Sequence, residues 1–294
     1  MTLIRDILNA KRPTFSFEIF PPKPESPLET VYETVAALRI LRPDFISVTY
    51  GAAGSSRNKT VDIASLVRNR WGQVALAHLT CIGSTRSEVM EVLEELDQEN
   101  VSNVLALRGD PRDAEERSDF RHALDLIRQI RAGQFGDFCV GAAAYPEGHV
   151  ECDSLDEDIR HLRMKVDAGV DFLVTQLFFD NEIFYRFMDL AGRAGIDVPV
   201  VAGIMPVLNA RQIGRVVSLC GASIPPKFAR IMRRYEHAPD ALREAGIAYA
   251  TEQIVDLVSW GAAGIHLYTM NRPDIAERIM KNIGAVRASV VTRE

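Results

Sequence analysis

Several common signatures are missing from this chain of 294 residues. Its four cysteines, at 81, 139, 152 and 220, include no Cys-x-x-Cys pair and join no histidine at zinc-finger spacing, which argues against a disulfide framework or a structural metal. The six histidines, at 78, 122, 149, 161, 237 and 266, include no His-x-x-x-His pair to set two ligands on one helical face, so no metal is expected. No Gly-x-Gly-x-x-Gly follows a strand-like run and no Walker-type phosphate loop occurs, so the usual cofactor logic of a doubly wound sheet is absent. With no Lys/Arg block and a formal charge of −6, nucleic acid is not an expected partner, although a local basic pocket for a small anionic cofactor stays open. No apolar stretch approaches bilayer-spanning length, and Met1-Thr2-Leu3-Ile4-Arg5-Asp6 does not open a signal region, so a cytoplasmic protein without a membrane partner is expected. There is no Gly/Ser-rich linker, low-complexity tract or internal sequence repeat, which points to one domain over 1–294.

What is present is an ordinary globular composition, 47% hydrophobic and 25% charged, with enough chain for a large shielded core. Eight short apolar runs rich in β-branched and aromatic residues recur at about 14–20, 44–50, 73–80, 102–108, 137–144, 171–178, 198–204 and 263–269, each followed by a helical pattern. Eight such alternations predict an α/β fold, a (β/α)8 TIM barrel. In the stretch 84–96, Val89, Val92, Leu93 and Leu96 form an apolar stripe behind a Ser/Thr start, with Glu88, Glu91 and Glu95 opposite. Asp153 to Asp158 load another helix start with acids, which favour the positive end of its dipole. The last gap, about 205–262, is longer than the rest and holds extra helices before the last strand, one beginning at Pro225-Pro226.

Within Phe15-Ser16-Phe17-Glu18-Ile19-Phe20-Pro21-Pro22-Lys23 a carboxylate interrupts an apolar strand. Burial there would disfavour its charged form and keep a proton available for general-acid catalysis; alternation that points Glu18 to solvent is the other reading. In a barrel of this kind, strand C-termini and the loops after them build the active site. Six of the predicted ends are polar: Ser47-Val48-Thr49-Tyr50, His78-Leu79-Thr80, Arg108-Gly109-Asp110, Tyr145 to His149, Thr175-Gln176 and Tyr268 to Arg272. Each has a structural reading alone, as a satisfied core histidine, a local ion pair or a buried ring, but their convergence on one rim indicates a ligand site.

Taken in order, Phe17-Glu18-Ile19-Phe20-Pro21-Pro22-Lys23, Val48-Thr49-Tyr50-Gly51-Ala52, His78-Leu79-Thr80-Cys81, Leu107-Arg108-Gly109-Asp110, Lys165-Val166-Asp167-Ala168-Gly169 and Thr175-Gln176 resemble the methylenetetrahydrofolate reductase family along about 12–284. The resemblance implies a short bacterial-type catalytic barrel that binds FAD noncovalently and reduces 5,10-methylenetetrahydrofolate with NADH or NADPH in a ping-pong order. It further implies folate and nicotinamide as small-molecule partners, a place in methionine biosynthesis and, by family analogy, a homo-oligomer. Carried over by motif, Glu18 is the general acid at the folate and Asp110 the acid near flavin and pterin. Thr49 and His78 match residues beside the isoalloxazine. Arg108 with Gly109, Tyr145, His149, Asp158 and Lys165 match those holding the rest of FAD, while Gln176, Gln212, Tyr268 and Arg272 match the substrate side. The family's bacterial members place a stacking Phe in the helix after strand 7, where Val216 aligns here. The alternatives are a pterin-binding barrel methyltransferase, which needs neither flavin nor nicotinamide, and a noncatalytic folate- or flavin-binding partner, which would tolerate loss of Glu18.

Overall fold

The structure, a computed structural model, describes residues 2–22, 27–50, 57–110, 118–133, 136–209, 213–214, 217 and 220–291. Eight strands close a parallel barrel in sequence order, β1 (Thr14–Ile19), β2 (Phe45–Val48), β3 (Ala75–Thr80), β4 (Asn103–Leu107), β5 (Cys139–Ala144), β6 (Phe172–Thr175), β7 (Val200–Ile204) and β8 (Gly264–Tyr268), with β8 pairing back to β1. All eight lie within the expected runs. The strands are shorter where an apolar run continues past the last ladder bond: Leu177, Phe178 and Phe179 extend the hydropathy of β6 but turn away to pack under helices.

The strand pattern sorts side chains into two cores. On β1, Phe15, Phe17 and Ile19 face outward into the layer beneath the helices, while Ser16 and Glu18 face into the barrel. Inside, Phe45, Leu76, Leu105, Cys139, Phe172, Val174 and Val201 fill the lower barrel, a packed interior rather than a pore. A helix not foreseen in the sequence, α1 (Ile4–Ala10), closes the floor: Ile4 and Leu8 are fully buried in this inner core, and the Ile4 N–H donates to Asn103 Oδ1 at 2.8 Å. Arg5 holds the plug from outside through Asp137 and Asp171.

The outer helices follow local rules. They are α2 (Glu29–Ile40), α3 (Arg57–Ser65, continuing as a π-turn over Leu66–Arg70), α4 (Arg86–Gln98), α5 (Ala123–Ala132), α6 (Leu155–Asp167) and α7 (Asn181–Arg193). Helix α4 begins with a capping box, Thr85 accepting from the Glu88 N–H while Glu88 accepts from the Thr85 N–H at 2.7 Å, and buries the expected stripe of Val89, Val92, Leu93 and Leu96. Between β7 and β8 lie α8 (Pro226–Tyr235), opened by Pro at its first turn as expected, and the long α9 (Pro239–Trp260). After β8 come α10 (Pro273–Asn282) and α11 (Gly284–Val291). Among the described residues no helix is long and apolar enough to cross a membrane.

Candidate active site

Glu18 is next to last on β1, in register with Ser47 on one side and Tyr268 on the other. Its Oε2 lies 3.5 Å from His78 Nε2 and 3.5 Å from His266 Nε2, so one carboxylate oxygen is approached by two imidazoles from β3 and β8. The apolar setting expected around Glu18 is thus corrected: the Phe and Ile neighbours in sequence point the other way, and what faces the carboxylate is polar. The side chain is 16% exposed, so it is neither sealed off nor free in solvent.

Each imidazole is backed by a serine. His78 Nε2 is 2.7 Å from Ser47 Oγ, and His266 Nδ1 is 2.7 Å from Ser16 Oγ, which also reaches the Ile265 carbonyl at 3.3 Å. His266 further stacks on Phe45, with ring centroids 6.0 Å apart. Burial lowers the His78 pKa to about 4, with Glu18 pulling upward and His266 adding to the fall, so His78 is neutral at pH 7. His78, which the family resemblance matches to a residue beside the flavin, is almost fully buried next to Glu18.

The β8 side of the mouth is braced by backbone contacts. Tyr268 is in contact with the β6 strand end, and burial, reinforced by Glu18, raises its pKa well above the ordinary phenol value, keeping it a proton donor. Thr269 Oγ1 donates to the Glu18 carbonyl at 2.6 Å, and Asn271 pairs with Phe20 twice, accepting from its N–H at 3.1 Å and donating to its carbonyl at 2.9 Å. Met270 and Asn271 both adopt positive φ, 53° and 52°, which turns the chain sharply enough to clamp Asn271 over the end of β1.

A second cluster gathers at the ends of β4 and β5 and the start of α6. Arg108 pairs with Glu151, one N–H donating to Oε1 at 2.9 Å, and its field reaches Tyr145. Gly109 turns the chain at φ 83°, where a Cβ would stand 3.0 Å from both Thr80 and Ile82. Tyr145 and His149 meet edge to face at 4.7 Å. Lys165, on α6, is half-buried and its ammonium donates to the Ala143 carbonyl at 2.7 Å; desolvation lowers its pKa to about 8, while Asp158 pulls it back up. Burial raises the Asp158 carboxyl, and Lys165 and His149 oppose the rise. Asp110 is exposed at the end of the same turn.

Most of the expected residues therefore converge. Thr49 follows β2, its N–H bonded to the Ile19 carbonyl at 2.9 Å, and Gln176 follows β6, its Oε1 accepting from the Leu177 N–H at 2.9 Å. Arg272 does not join them as drawn: it is about half exposed and tied to Asp274 at 2.9 Å at the start of α10. Gln212 and Val216 lie outside the described residues. Sequence reasoning missed Ser16 and His266, though period-two spacing from Glu18 and from Tyr268 would have put both on the inner face, and it named Ser47 on the rim without giving it a partner. Two sizeable cavities among the described residues, about 630 Å³ between α7 and α9 and about 460 Å³ against α2, α3 and α4, lie on the outer wall away from Glu18. The site is defined by convergence of polar groups, not by those cavities.

Comparisons with known proteins identify the family. The family model described as methylenetetrahydrofolate reductase matches residues 3–284. The chain is 34% identical over 269 residues to 5,10-methylenetetrahydrofolate reductase of Pectobacterium carotovorum subsp. carotovorum, covering 92% of this chain and 89% of that protein. Identity to the Escherichia coli (strain K12) protein of the same description is 33% over 269 residues, covering 92% and 90%. It is 35% identical over 305 residues to methylenetetrahydrofolate reductase (NADH) 1 of Arabidopsis thaliana, covering 99% of this chain and 51% of that protein, so it spans about half the length of this plant relative. A solved structure of an uncharacterized protein from Clostridium thermocellum, described as binding two copies of 5-methyl-5,6,7,8-tetrahydrofolic acid, shares the fold with a TM-score of 0.67 at 13% identity, covering 97% of this chain and 98% of that one. The match over nearly the whole chain, together with the bacterial relatives, shows that this protein belongs to the methylenetetrahydrofolate reductase family.

Proposed function

We propose that this protein reduces 5,10-methylenetetrahydrofolate to 5-methyltetrahydrofolate with electrons from NADH or NADPH. The observation that carries the reading is Glu18 at the mouth of the barrel, held between His78 and His266, in a chain of this family. Glu18 protonates N10 of the folate and so opens its five-membered ring to the reactive iminium. His78, neutral at pH 7, sets no imidazolium beside Glu18, and His266, fixed by Ser16, lies 3.5 Å from the same carboxylate oxygen and orients it. Tyr268 and Gln176 border the same mouth from β8 and β6 and orient the pterin; Arg272 and Gln212 enter the substrate set through family resemblance alone.

The donor set at β4, β5 and α6 fits an anionic dinucleotide. Lys165 is a half-buried amine anchored on the Ala143 carbonyl, Arg108 and His149 stand in the same cluster, and the tight Gly109 turn follows β4. FAD would be held noncovalently by Arg108, Gly109, Tyr145, His149, Asp158 and Lys165, with Thr49, His78 and Asp110 toward its ring. FAD held there would supply two-electron chemistry between the nicotinamide and the folate, used in ping-pong order. Asp110, exposed at the end of the Gly109 turn, would set a negative charge on the ring side of that group.

The test is anaerobic: add NADH or NADPH to the purified protein, follow the visible flavin absorbance, then add methylenetetrahydrofolate. Bleaching followed by recovery is expected. A colourless protein that takes up no FAD would overturn the flavin reading and favour a pterin-binding methyltransferase.

A further inference from the structure

We infer that Cys152, Asp158 and His161 form a binding site for one zinc-type divalent transition metal ion. The cysteine sulfur, a carboxylate oxygen of Asp158 and a ring nitrogen of His161 all lie within 4.8 Å of one another. Zinc takes thiolate, imidazole and carboxylate at about 2.3, 2.0–2.1 and 2.0–2.2 Å, so donors around a tetrahedral ion stand roughly 3.3–3.7 Å apart. The three groups need to close by no more than about 1.5 Å, within the reach of side-chain rotation.

The local fold makes the cluster. Ser154 caps α6, accepting from the Glu157 N–H at 3.2 Å, and the turn before it is closed by the Cys152 N–H donating to the His149 carbonyl at 2.9 Å. Asp158 and His161, three residues apart on the first turns of α6, project from one face, and the turn sets Cys152 against that face. The spacing Cys-x5-Asp-x2-His contains no close Cys or His pair, which is why a search for zinc-finger spacings passes over it. Mixed sulfur, nitrogen and oxygen donors suit Zn²⁺ over Mg²⁺ or Ca²⁺, which prefer all-oxygen shells. Binding would release the Cys152 thiol proton to solvent and leave a fourth position for water.

Asp158 also stands in the proposed flavin set, so metal binding would draw it away and loosen FAD; this consequence rests on the flavin reading, whereas the site itself does not.

Cobalt(II) is the probe. Titrating the full-length protein as purified should produce tetrahedral d–d bands, to the red of flavin absorption, that saturate at one equivalent and are displaced by Zn²⁺. Cys152→Ser should abolish them and His161→Ala should weaken binding at least tenfold. Cys220→Ser, changing the other cysteine that is not fully buried, should leave them intact, with circular dichroism showing that each variant is folded. No tetrahedral bands, or the same bands in folded Cys152→Ser, would overturn the site. Release of FAD into a filtrate on Zn²⁺ addition, seen in the parent and absent in Cys152→Ser, would support the linkage. Retention of FAD beside full metal loading would overturn the linkage alone.

Discussion

The Tyr268 hydroxyl donates to the Thr175 carbonyl at 2.7 Å, reaching from β8 to β6 across the intervening strand β7. The reach is open because residue 203 is glycine: a Cβ there would stand 2.3 Å from the Thr175 oxygen and 2.7 Å from the Tyr268 hydroxyl. Gly203→Ala should displace Tyr268 and strain the strand, costing about 1–3 kcal/mol as overpacked interiors do. Urea denaturation measures the loss. A stability equal to the parent's would show that the barrel yields at β7 and that Tyr268 is not held by this contact.

Glu18→Gln keeps the shape of the side chain and removes the acid. Flavin reduction by NADH or NADPH should stay within about twofold, while reoxidation by methylenetetrahydrofolate should slow by roughly 10²–10⁴, the range a positioned general acid supplies. Stopped-flow absorbance separates the two halves, and normal reoxidation in the variant would remove Glu18 from the acid role.

Behind Glu18, Ser16→Ala and His266→Gln should act on the same half-reaction without touching flavin reduction. Losing the Ser16 hydroxyl frees the His266 tautomer, so the expected effect is a fall of about tenfold with a displaced pH profile for folate turnover. If the rate falls while the profile stays where it was, Ser16 and His266 serve packing instead of proton placement.

His78 makes stability depend on pH with a definite sign. Its folded pKa is about 4 against an unfolded value of 6.5, so between those values the unfolded chain binds more protons. The stabilisation is fully present above about pH 6.5 and is lost as pH falls toward 4, by up to about 3 kcal/mol for a difference of this size. Denaturation midpoints at several pH values, compared between the parent and His78→Gln, isolate this part from the carboxylates. Equal slopes in the two proteins would contradict it.

The barrel was legible because eight apolar runs must find a common core, and hydropathy reports burial directly. The floor helix was not: Ile4 and Leu8 are two apolar residues in a short polar segment, and their importance comes from the hole they fill. Glu18 was singled out for a sound reason with the wrong surroundings. A sequence run shows the neighbours along a strand, whereas His78 and His266 arrive from strands 60 and 248 residues away. The Arg108, Lys165 and Asp158 cluster was reached through family likeness; charge spacing alone does not reveal that the Lys165 ammonium is tied to the Ala143 carbonyl.

The polar line from Glu18 through His266 to Ser16 ends at the Ile265 carbonyl, above a floor sealed by α1. It is a cul-de-sac. If Glu18 lends a proton to a ligand, as proposed, the described residues offer no source below it, so the proton is restored through the mouth, by water or by the departing ligand. On that reading the site opens to solvent once per cycle to reset itself, and a product that lingers over the mouth would hold the acid in its spent form.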